Sequence, residues 1–452
     1  MESRVHSFSE TVSRLLEDKK YNSARDVLIT MEPVDIAALF EEVPPELWTR
    51  LFRLLPKDAA APVFVELDPE KQAEIIRGYS ETDIRTLLDE LYVDDAADLI
   101  EEMPANVVEK ILKSASPDMR RSINEILKYP ESSTGSIMTT EFVAFHPDIT
   151  LRNAIEEIRK SGVDKETIYT CYVIDRERHL IGCISARTLL TGDESKTVGE
   201  LMDPNVISCN TLDDREETAR AIGKYGFLAL PVCDAEKRLV GIVTVDDAID
   251  VMQTETSEDI SKMAAVTPAD KPYLKRSVFE LYKSRIPWLL LLMISATLTG
   301  GIISSFEDAL GKMVILTAFI PMLMDTGGNA GGQASVTIIR ALSLDEVRFG
   351  NLPAVIWKEL RVSVMAAVTL AAASFAKICL IDRPENIWVS LTVCLTLAAI
   401  VVLAKLIGCT LPILAKKIGL DPAVVASPFI TTIVDAVALL VYFALASALL
   451  GL

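Results

Sequence analysis

Pro321-Met322-Leu323-Met324-Asp325-Thr326-Gly327-Gly328-Asn329-Ala330-Gly331-Gly332-Gln333 lies within a long apolar stretch in the C-terminal part of a 452-residue chain. Further on, Asp435 is the only charged residue after Pro422. A carboxylate in hydrocarbon costs about 2.5–3.5 kcal/mol even on the mild insertion scale, so it faces a partner, a cavity or an ion. A glycine cluster at membrane depth is expected to leave main-chain groups that only buried protein or water can satisfy. Together the two features predict the wall of a cation path.

Outward from this stretch, the apolar half divides into helix-length segments. Ile286 to Phe306 is uncharged and long enough for one bilayer crossing. The glycine run interrupts a second segment, Met313 to Ile339; a third covers Val355 to Ile381, a fourth begins near Ile387, and the last runs from Pro422 to Leu452. Residues 286–452 therefore read as a bundle of five transmembrane helices. Basic residues gather before the first helix, around Arg340–Arg361 and at Lys416-Lys417, whereas the loops holding Glu307-Asp308-Lys312 and Asp382-Arg383-Glu385 have no basic excess. The positive-inside bias then places the N-terminus in the cytoplasm and the C-terminus outside, in a multi-pass protein of the plasma (inner) membrane.

Charge separates the two halves. Residues 1–270 hold 30 Lys+Arg against 53 Asp+Glu, and residues 271–452 hold 15 against 11. An acidic soluble half excludes nucleic acid as a partner, because phosphates need a basic footprint. Its self-repulsion is of the kind that bound cations relieve. The chain opens without the apolar core of a signal peptide, so the first half is expected in the cytosol. The seven cysteines form no Cys-x-x-Cys pair, as in reduced filler positions. The three histidines, at 6, 146 and 179, are scattered and no nucleophile–base spacing is present, so no enzyme is indicated.

Residues 1–130 carry a beat of twelve: Val43-Pro44, Leu55-Pro56, Leu67-Asp68-Pro69, Leu91-Tyr92, Met103-Pro104 and Ala115-Ser116-Pro117. Prolines start or stop helices, and a fixed period means that neighbours bury one another's faces, which predicts an all-α repeat of very short helices wound into a superhelix. Residues 131–250 hold a two-fold α/β repeat, about 136–195 and 198–250, each copy closing on a strand followed by a helix start. The first copy passes through Tyr172-Val173-Ile174-Asp175 to Leu180-Ile181-Gly182-Cys183-Ile184-Ser185; the second ends Leu239-Val240-Gly241-Ile242-Val243-Thr244-Val245-Asp246-Asp247. The pair resembles tandem CBS (cystathionine-β-synthase-type) domains, modules that commonly bind adenine nucleotides, with the hydroxyl and carboxylate at Thr244 and Asp247 taking a ribose. Thr188 stands where the first copy wants Asp. Thr244 also reads as a helix cap, with Asp247 favouring the first turn.

Residues 251–285 form an acidic, then basic linker. If its helix is continuous, Asp247, Asp250 and Glu258 share a face; alternatively Ser257 caps a fresh helix. In the membrane half, an ion-facing Asp435 competes with a structural pair to Lys405 or Lys377, both nearer helix ends. For the glycines, close helix packing competes with a polar lining that Asn329 and Gln333 suggest. A site of carboxylate and carbonyl without soft ligands calls for a hard cation, Mg2+ or Ca2+ before Zn2+ or Cu2+.

The order helical repeat, CBS pair, acidic linker and five membrane helices closely resembles the MgtE family of magnesium channels. The specific motifs are Gly327-Gly328-Asn329-x-Gly331-x-Gln333, Asp421-Pro422-Ala423 followed by Pro428, Thr431 and Asp435, Tyr129-Pro130-Glu131 followed by Met138-Thr139, and Gly241 to Asp247. The resemblance implies a homodimer in the lipid bilayer, with the second and fifth helices lining a pore in which Asp435 holds a hydrated Mg2+; the residues themselves add Asn329, Gly328 and Asp325 to the expected pore lining. It implies that cytosolic Mg2+ closes the pore by bridging Asp247, Asp250, Glu255, Glu258, Asp259 and Asp421, with Asp95, Asp214 and Glu216 as further gating acids. ATP or another adenine nucleotide is the implied ligand of the CBS pair. Gly226 stands where another acidic ligand is expected, and Asp325 where glycine is frequent. Two rival readings are a divalent-cation exchanger coupled to H+ or Na+, in which Asp325 and Asp435 trade protons for metal, and a membrane-anchored nucleotide sensor.

Overall fold

The computed structural model describes residues 2–162, 165–269, 271, 273–382, 387–424 and 427–451. Arg383 and Glu385 of the topology argument lie outside the described residues. The chain separates into two compact units, Met1–Gln253 and Thr254–Leu452.

The first unit opens with ten helices: α1 (Glu2–Glu17), α2 (Tyr21–Leu28), α3 (Pro33–Glu42), α4 (Pro45–Phe52), α5 (Lys57–Val65), α6 (Pro69–Gly78), α7 (Glu81–Leu88), α8 (Val93–Glu102), α9 (Ala105–Ser114) and α10 (Pro117–Ile126). From α3 onward each starts twelve residues after the last. Pro33, Pro45, Pro69 and Pro117 hold the first helical position, where the missing N–H would have no partner in any case. Where proline is lacking, Ser80 makes a capping box with Asp83. Helices this short are marginal alone and need packing. They find it in one continuous core from Val12 to Ile123. The beat extends into that core: Phe40, Phe52 and Phe64 stack edge to face, with centroids 6.4 and 5.7 Å apart.

The two CBS copies follow. The first comprises β1 (Ala144–Phe145), α11 (Leu151–Ser161), β2 (Thr170–Ile174), β3 (Leu180–Ser185) and α12 (Ala186–Thr191). The second comprises α13 (Val198–Leu201), β4 (Cys209–Asn210), α14 (Arg215–Tyr225), β5 (Ala229–Cys233), β6 (Leu239–Thr244) and α15 (Val245–Met263). Each sheet has a parallel pair followed by an antiparallel one. The copies exchange their leading segments: Thr139 pairs with Ile242 on β6, and Asp203 pairs with Cys183 on β3. This exchange explains a glycine at the same place in both copies. A Cβ on Gly241 would strike Met138 and the Thr139 carbonyl, and one on Gly182 would strike Met202 and the Asp203 carbonyl.

The linker helix is unbroken: α15 runs from Val245 through Ser257 to Met263, so Ser257 caps nothing new. The second unit then holds α16 (Val278–Ser305), α17 (Glu307–Lys312), α18 (Ile320–Ser343), α19 (Leu352–Lys377), α20 (Ile387–Lys417) and α21 (Ser427–Leu450). A capping box between Ser277 and Glu280 starts α16 ahead of the uncharged run. Among the described residues, four helical stretches are long and apolar enough to cross a membrane: Val278–Ser305, Phe349–Ile381, Ile387–Lys417 and Pro428–Leu450. The expected second crossing, α18, is not one of these, because its glycines, Asp325, Asn329 and Gln333 dilute its apolar character. It nonetheless packs against α20 and α21. Leu323 of α18, Ile400 of α20 and Val434 of α21 meet in one core cluster.

Candidate functional site

The glycine run sits inside a regular helix, so it opens no irregular main chain; its first use is close packing. A Cβ on Gly327 would press on Ile400 and Val434, one on Gly328 on Thr431, and one on Gly331 on Ile430 and the Ala404 carbonyl. From the other side, a Cβ on Gly408 of α20 would collide with the Gly331 carbonyl. The glycines thus bring three helix backbones together, as small residues do where helices cross in lipid.

The polar residues of α18 lie away from that seam. Asp325, Asn329 and Gln333 are spaced by four, share one face, and are all exposed. Asp435, on α21, lies within electrostatic range of Asp325. One carboxylate oxygen of Asp435, Oδ1, is buried without a hydrogen-bond partner. Neither of the lysine partners expected of a structural pair engages it: among the described residues no ion pair joins Asp435 to Lys405 or Lys377. Lys377 instead lies over the Phe319 ring at 6.0 Å. A carboxylate oxygen buried among packed helices without a partner is unfavourable unless a cation, a proton or water meets it.

At the other end of this unit, α15 meets the loop before α21. Lys262 Nζ sits 2.6 Å from Glu258 and 2.7 Å from Asp421. Asp421 also accepts from the Ala423 N–H at 2.8 Å, which fixes its rotamer. Asp259 accepts from the Ser343 hydroxyl at 3.4 Å, and burial, then the Asp421 charge, raises its pKa. Glu258, Asp259 and Asp421, three of the acids that the family resemblance implies as gating residues, therefore gather here, together with a lysine whose part the sequence did not disclose, although its i,i+4 spacing from Glu258 was visible. Glu255 is half-buried on the same helix.

A second gathering lies wholly inside the first unit. Asp94, at the start of α8, is 8 % exposed, and its Oδ1 has no partner. Burial, then Asp247, Asp95 and Glu166, pushes its carboxyl well above the usual range. Burial and then Asp247 raise Asp95 to about 6. Asp247 itself is raised to about 6, mainly by burial, against the Thr244 hydroxyl that bonds to it. Glu166 is raised to about 8 by burial and by Asp247, Asp246, Asp95 and Glu141, and its Oε2 is also orphaned. Mutual repulsion of this kind is relieved by protons or by a cation, although among the described residues no three of these carboxylates bring their oxygens within 4.8 Å of one another. Asp247 and Asp95 were anticipated; Asp94 and Glu166 were not.

Other expected ligands have local employment. Asp214 caps α14 by accepting from the Glu216 N–H at 2.8 Å. Glu216 is ion-paired with Arg220. Gly226 ends α14 in the left-handed region, φ 67°. Asp250 is exposed one turn beyond Asp247. Thr244 and Asp247 bond to each other across the start of α15, which is the capping arrangement the sequence allowed. In the first copy, Thr188 faces the Ser185 hydroxyl at 2.9 Å.

An acidic soluble unit joined to apolar helices that hold an unpartnered carboxylate defines a membrane transporter of divalent cations. Comparison with known proteins makes this specific. Residues 320–445 match the MgtE divalent cation transporter family, residues 31–132 the MgtE intracellular N domain, and residues 135–193 and 198–254 the CBS domain. The chain is 35 % identical to the magnesium transporter MgtE of Thermus thermophilus over 97 % of its own length and 98 % of that protein's. It is 33 % identical to the Bacillus subtilis magnesium transporter MgtE, covering 96 % and 95 %. A crystal structure of the cytosolic domain of the Mg2+ channel MgtE in complex with ATP is similar over 54 % of this chain and 99 % of that one, at 36 % identity and a TM-score of 0.52. The chain belongs to the MgtE family.

Proposed function

We propose that this protein is a Mg2+-selective channel of the plasma membrane, closed by Mg2+ that binds its acidic cytosolic part. The observation that carries the reading is the orphaned Asp435 oxygen near the exposed Asp325–Asn329–Gln333 stripe of α18. A polar stripe cannot face lipid tails, so it calls for an aqueous path covered by a second copy of the chain. In this reading α18 is the fifth crossing. At 24 residues and about 1.5 Å per residue it is long enough to span the hydrocarbon. The N-terminus is cytoplasmic and the C-terminus outside. Mg2+ dehydrates reluctantly, so Asp435 with Asn329 and Asp325 engages it as a hydrated ion rather than stripping it. Gly328 contributes by admitting Thr431 close to α18.

The gate rests on the two acidic gatherings. Without cations, Asp94, Asp95, Asp247 and Glu166 repel one another; a bound Mg2+ removes the repulsion and holds α8 to the CBS pair. Asp250, Glu255, Glu258 and Asp259 along α15 act in the same sense, as does Asp421 in the loop before α21, with Asp214 and Glu216 as outlying charge. ATP or a related adenine nucleotide is the proposed ligand of the CBS pair at Thr244 and Asp247, in keeping with the ATP complex of the similar domain.

The test is electrical. In proteoliposomes the reversal potential should follow the Mg2+ gradient and ignore an imposed pH or Na+ gradient. A reversal potential that moves with the proton or sodium gradient would establish coupled exchange and overturn the channel reading. Replacing Glu255, Glu258 and Asp259 by Ala should leave a channel that closes poorly in millimolar Mg2+.

A further inference from the structure

The two CBS copies carry the same hairpin turn with a different residue at its end. Between β2 and β3, Asp175 Oδ1 accepts from the main-chain N–H groups of Glu177 and His179, at 2.9 and 2.8 Å. Between β5 and β6, Asp234 Oδ1 accepts from those of Glu236 and Arg238, both at 2.9 Å. Asp and Glu thus recur at the first and third positions, and the fifth changes from His179 in the first copy to Arg238 in the second. In the second copy that fifth side chain is a cation held by both carboxylates. Arg238 Nε lies 2.8 Å from Asp234, and its Nη2 lies 3.0 Å from Glu236. In the first copy the same two carboxylates have an imidazole in place of the guanidinium, with His179 Nδ1 2.9 Å from Asp175 Oδ2. Among the described residues neither Arg176 nor Arg178 forms an ion pair with Asp175 or Glu177. Arg178 donates instead to the Leu239 carbonyl at 3.4 Å. Arg238 stands opposite His179 where the two hairpins meet, but its charge is met by its own carboxylates.

The geometry points to a binding site for a divalent transition-metal ion of the Ni2+ or Zn2+ kind at Asp175, Glu177 and His179. One ligand atom from each lies within 4.8 Å of the other two. Two atoms 2.9 Å apart can both touch one ion at about 2.1 Å, subtending close to a right angle at it. That is the angle between neighbouring ligands of an octahedral ion, whose remaining positions water would fill. The two main-chain N–H groups hold Asp175 Oδ1, which leaves Oδ2 turned to the imidazole. Glu177 is exposed, and Asp175 and His179 are half-buried, so an ion reaches them without opening the core. The imidazole decides the class of cation: it suits Ni2+ and Zn2+, whereas Mg2+ takes oxygen ligands. The site is therefore distinct in chemistry from the carboxylates of the pore and the gate. An ion bound there would do for the first turn what Arg238 does for the second, tying its acidic first and third positions to its end.

Calorimetric titration of Ni2+ into the untagged full chain in detergent tests the site, with millimolar Mg2+ present throughout to fill the oxygen-only sites. Wild type should take up one equivalent more than His179→Arg, a residue that the second copy already accommodates at this position. His179→Gln removes the nitrogen ligand without adding charge and should lose the same equivalent. Both variants should keep the wild-type unfolding temperature in the absence of Ni2+, because the main-chain bonds of the turn remain. Equal uptake by wild type and both variants would place the ion elsewhere and overturn the proposal. Retention of the extra equivalent in His179→Gln alone would mean attraction to acidic charge without a nitrogen ligand, and would overturn it too. Mg2+ flux is not read in this measurement, so a negative result leaves the channel reading standing.

Discussion

Asp247→Asn should stabilise the Mg2+-free protein, which is the reverse of what removing a charged binding residue usually does. Asp247 is held at about 6 against its ordinary 3.8. At about 1.4 kcal/mol per unit, its ionised form costs the folded chain roughly 3 kcal/mol. The sign follows from proton binding. The folded state holds the proton more tightly than the unfolded state, so stability is fully present below about pH 4 and is lost as pH rises through about 6. Glu166, raised to about 8, extends the loss to higher pH. Asparagine removes the charge and still accepts from Thr244. Hydrogen exchange of α8, read by mass spectrometry on the full chain in detergent, reports the effect locally. Under chelator near pH 8, wild-type α8 should be up to about a hundredfold less protected than in the variant, and near pH 4 the two should converge. Millimolar Mg2+ should protect wild type and add little to the variant. Wild-type protection that rises with pH under chelator, once intrinsic exchange is corrected, would refute the reasoning. So would a variant that keeps the full Mg2+ increment.

Lys262→Met leaves Glu258 and Asp421 facing each other without the ammonium between them, so protease protection of α15 should become more dependent on Mg2+; unchanged dependence would mean that the lysine is incidental. Gly408→Ala places a methyl against the Gly331 carbonyl and should cost about 1–3 kcal/mol as α18 and α20 part, visible as a lower unfolding temperature in detergent. Asp325→Gly removes a carboxylate near Asp435 and should change the flux ratio of Mg2+ to Co2+ or Ca2+, because field strength sets the cost of removing water; an unchanged ratio would place this side chain off the path.

The helical repeat was legible because proline stands at the start of six of the eight helices from α3 to α10, and the period of twelve carries through to Phe40, Phe52 and Phe64. The CBS pair was legible from its doubled strand endings. What escaped was burial among similar residues. Asp94, Asp95 and Asp98 read alike in sequence, and only packing beside Val93 and Ala97 sets Asp94 inside. Glu166 lies in a polar run, Asp164-Lys165-Glu166-Thr167, where nothing marks it, and its importance comes from a segment that folds next to Glu141 through a 2.9 Å main-chain bond. The glycine run was read as pore lining because polar neighbours flank it. The structure divides the two jobs around one helix, glycines inward to α20 and α21 and polar side chains outward. A heptad-scale reading of 325, 329 and 333 against 327, 328 and 331 contains that division.

Asp435→Asn tests the central claim most directly. The substitution keeps size and removes the charge from the last helix, so the bundle should assemble with wild-type mobility and unfolding temperature in detergent. Mg2+ uptake into proteoliposomes should fall to the level of protein-free vesicles. Uptake at the wild-type rate in a correctly folded variant would contradict the account, because Asp435 would then face no ion.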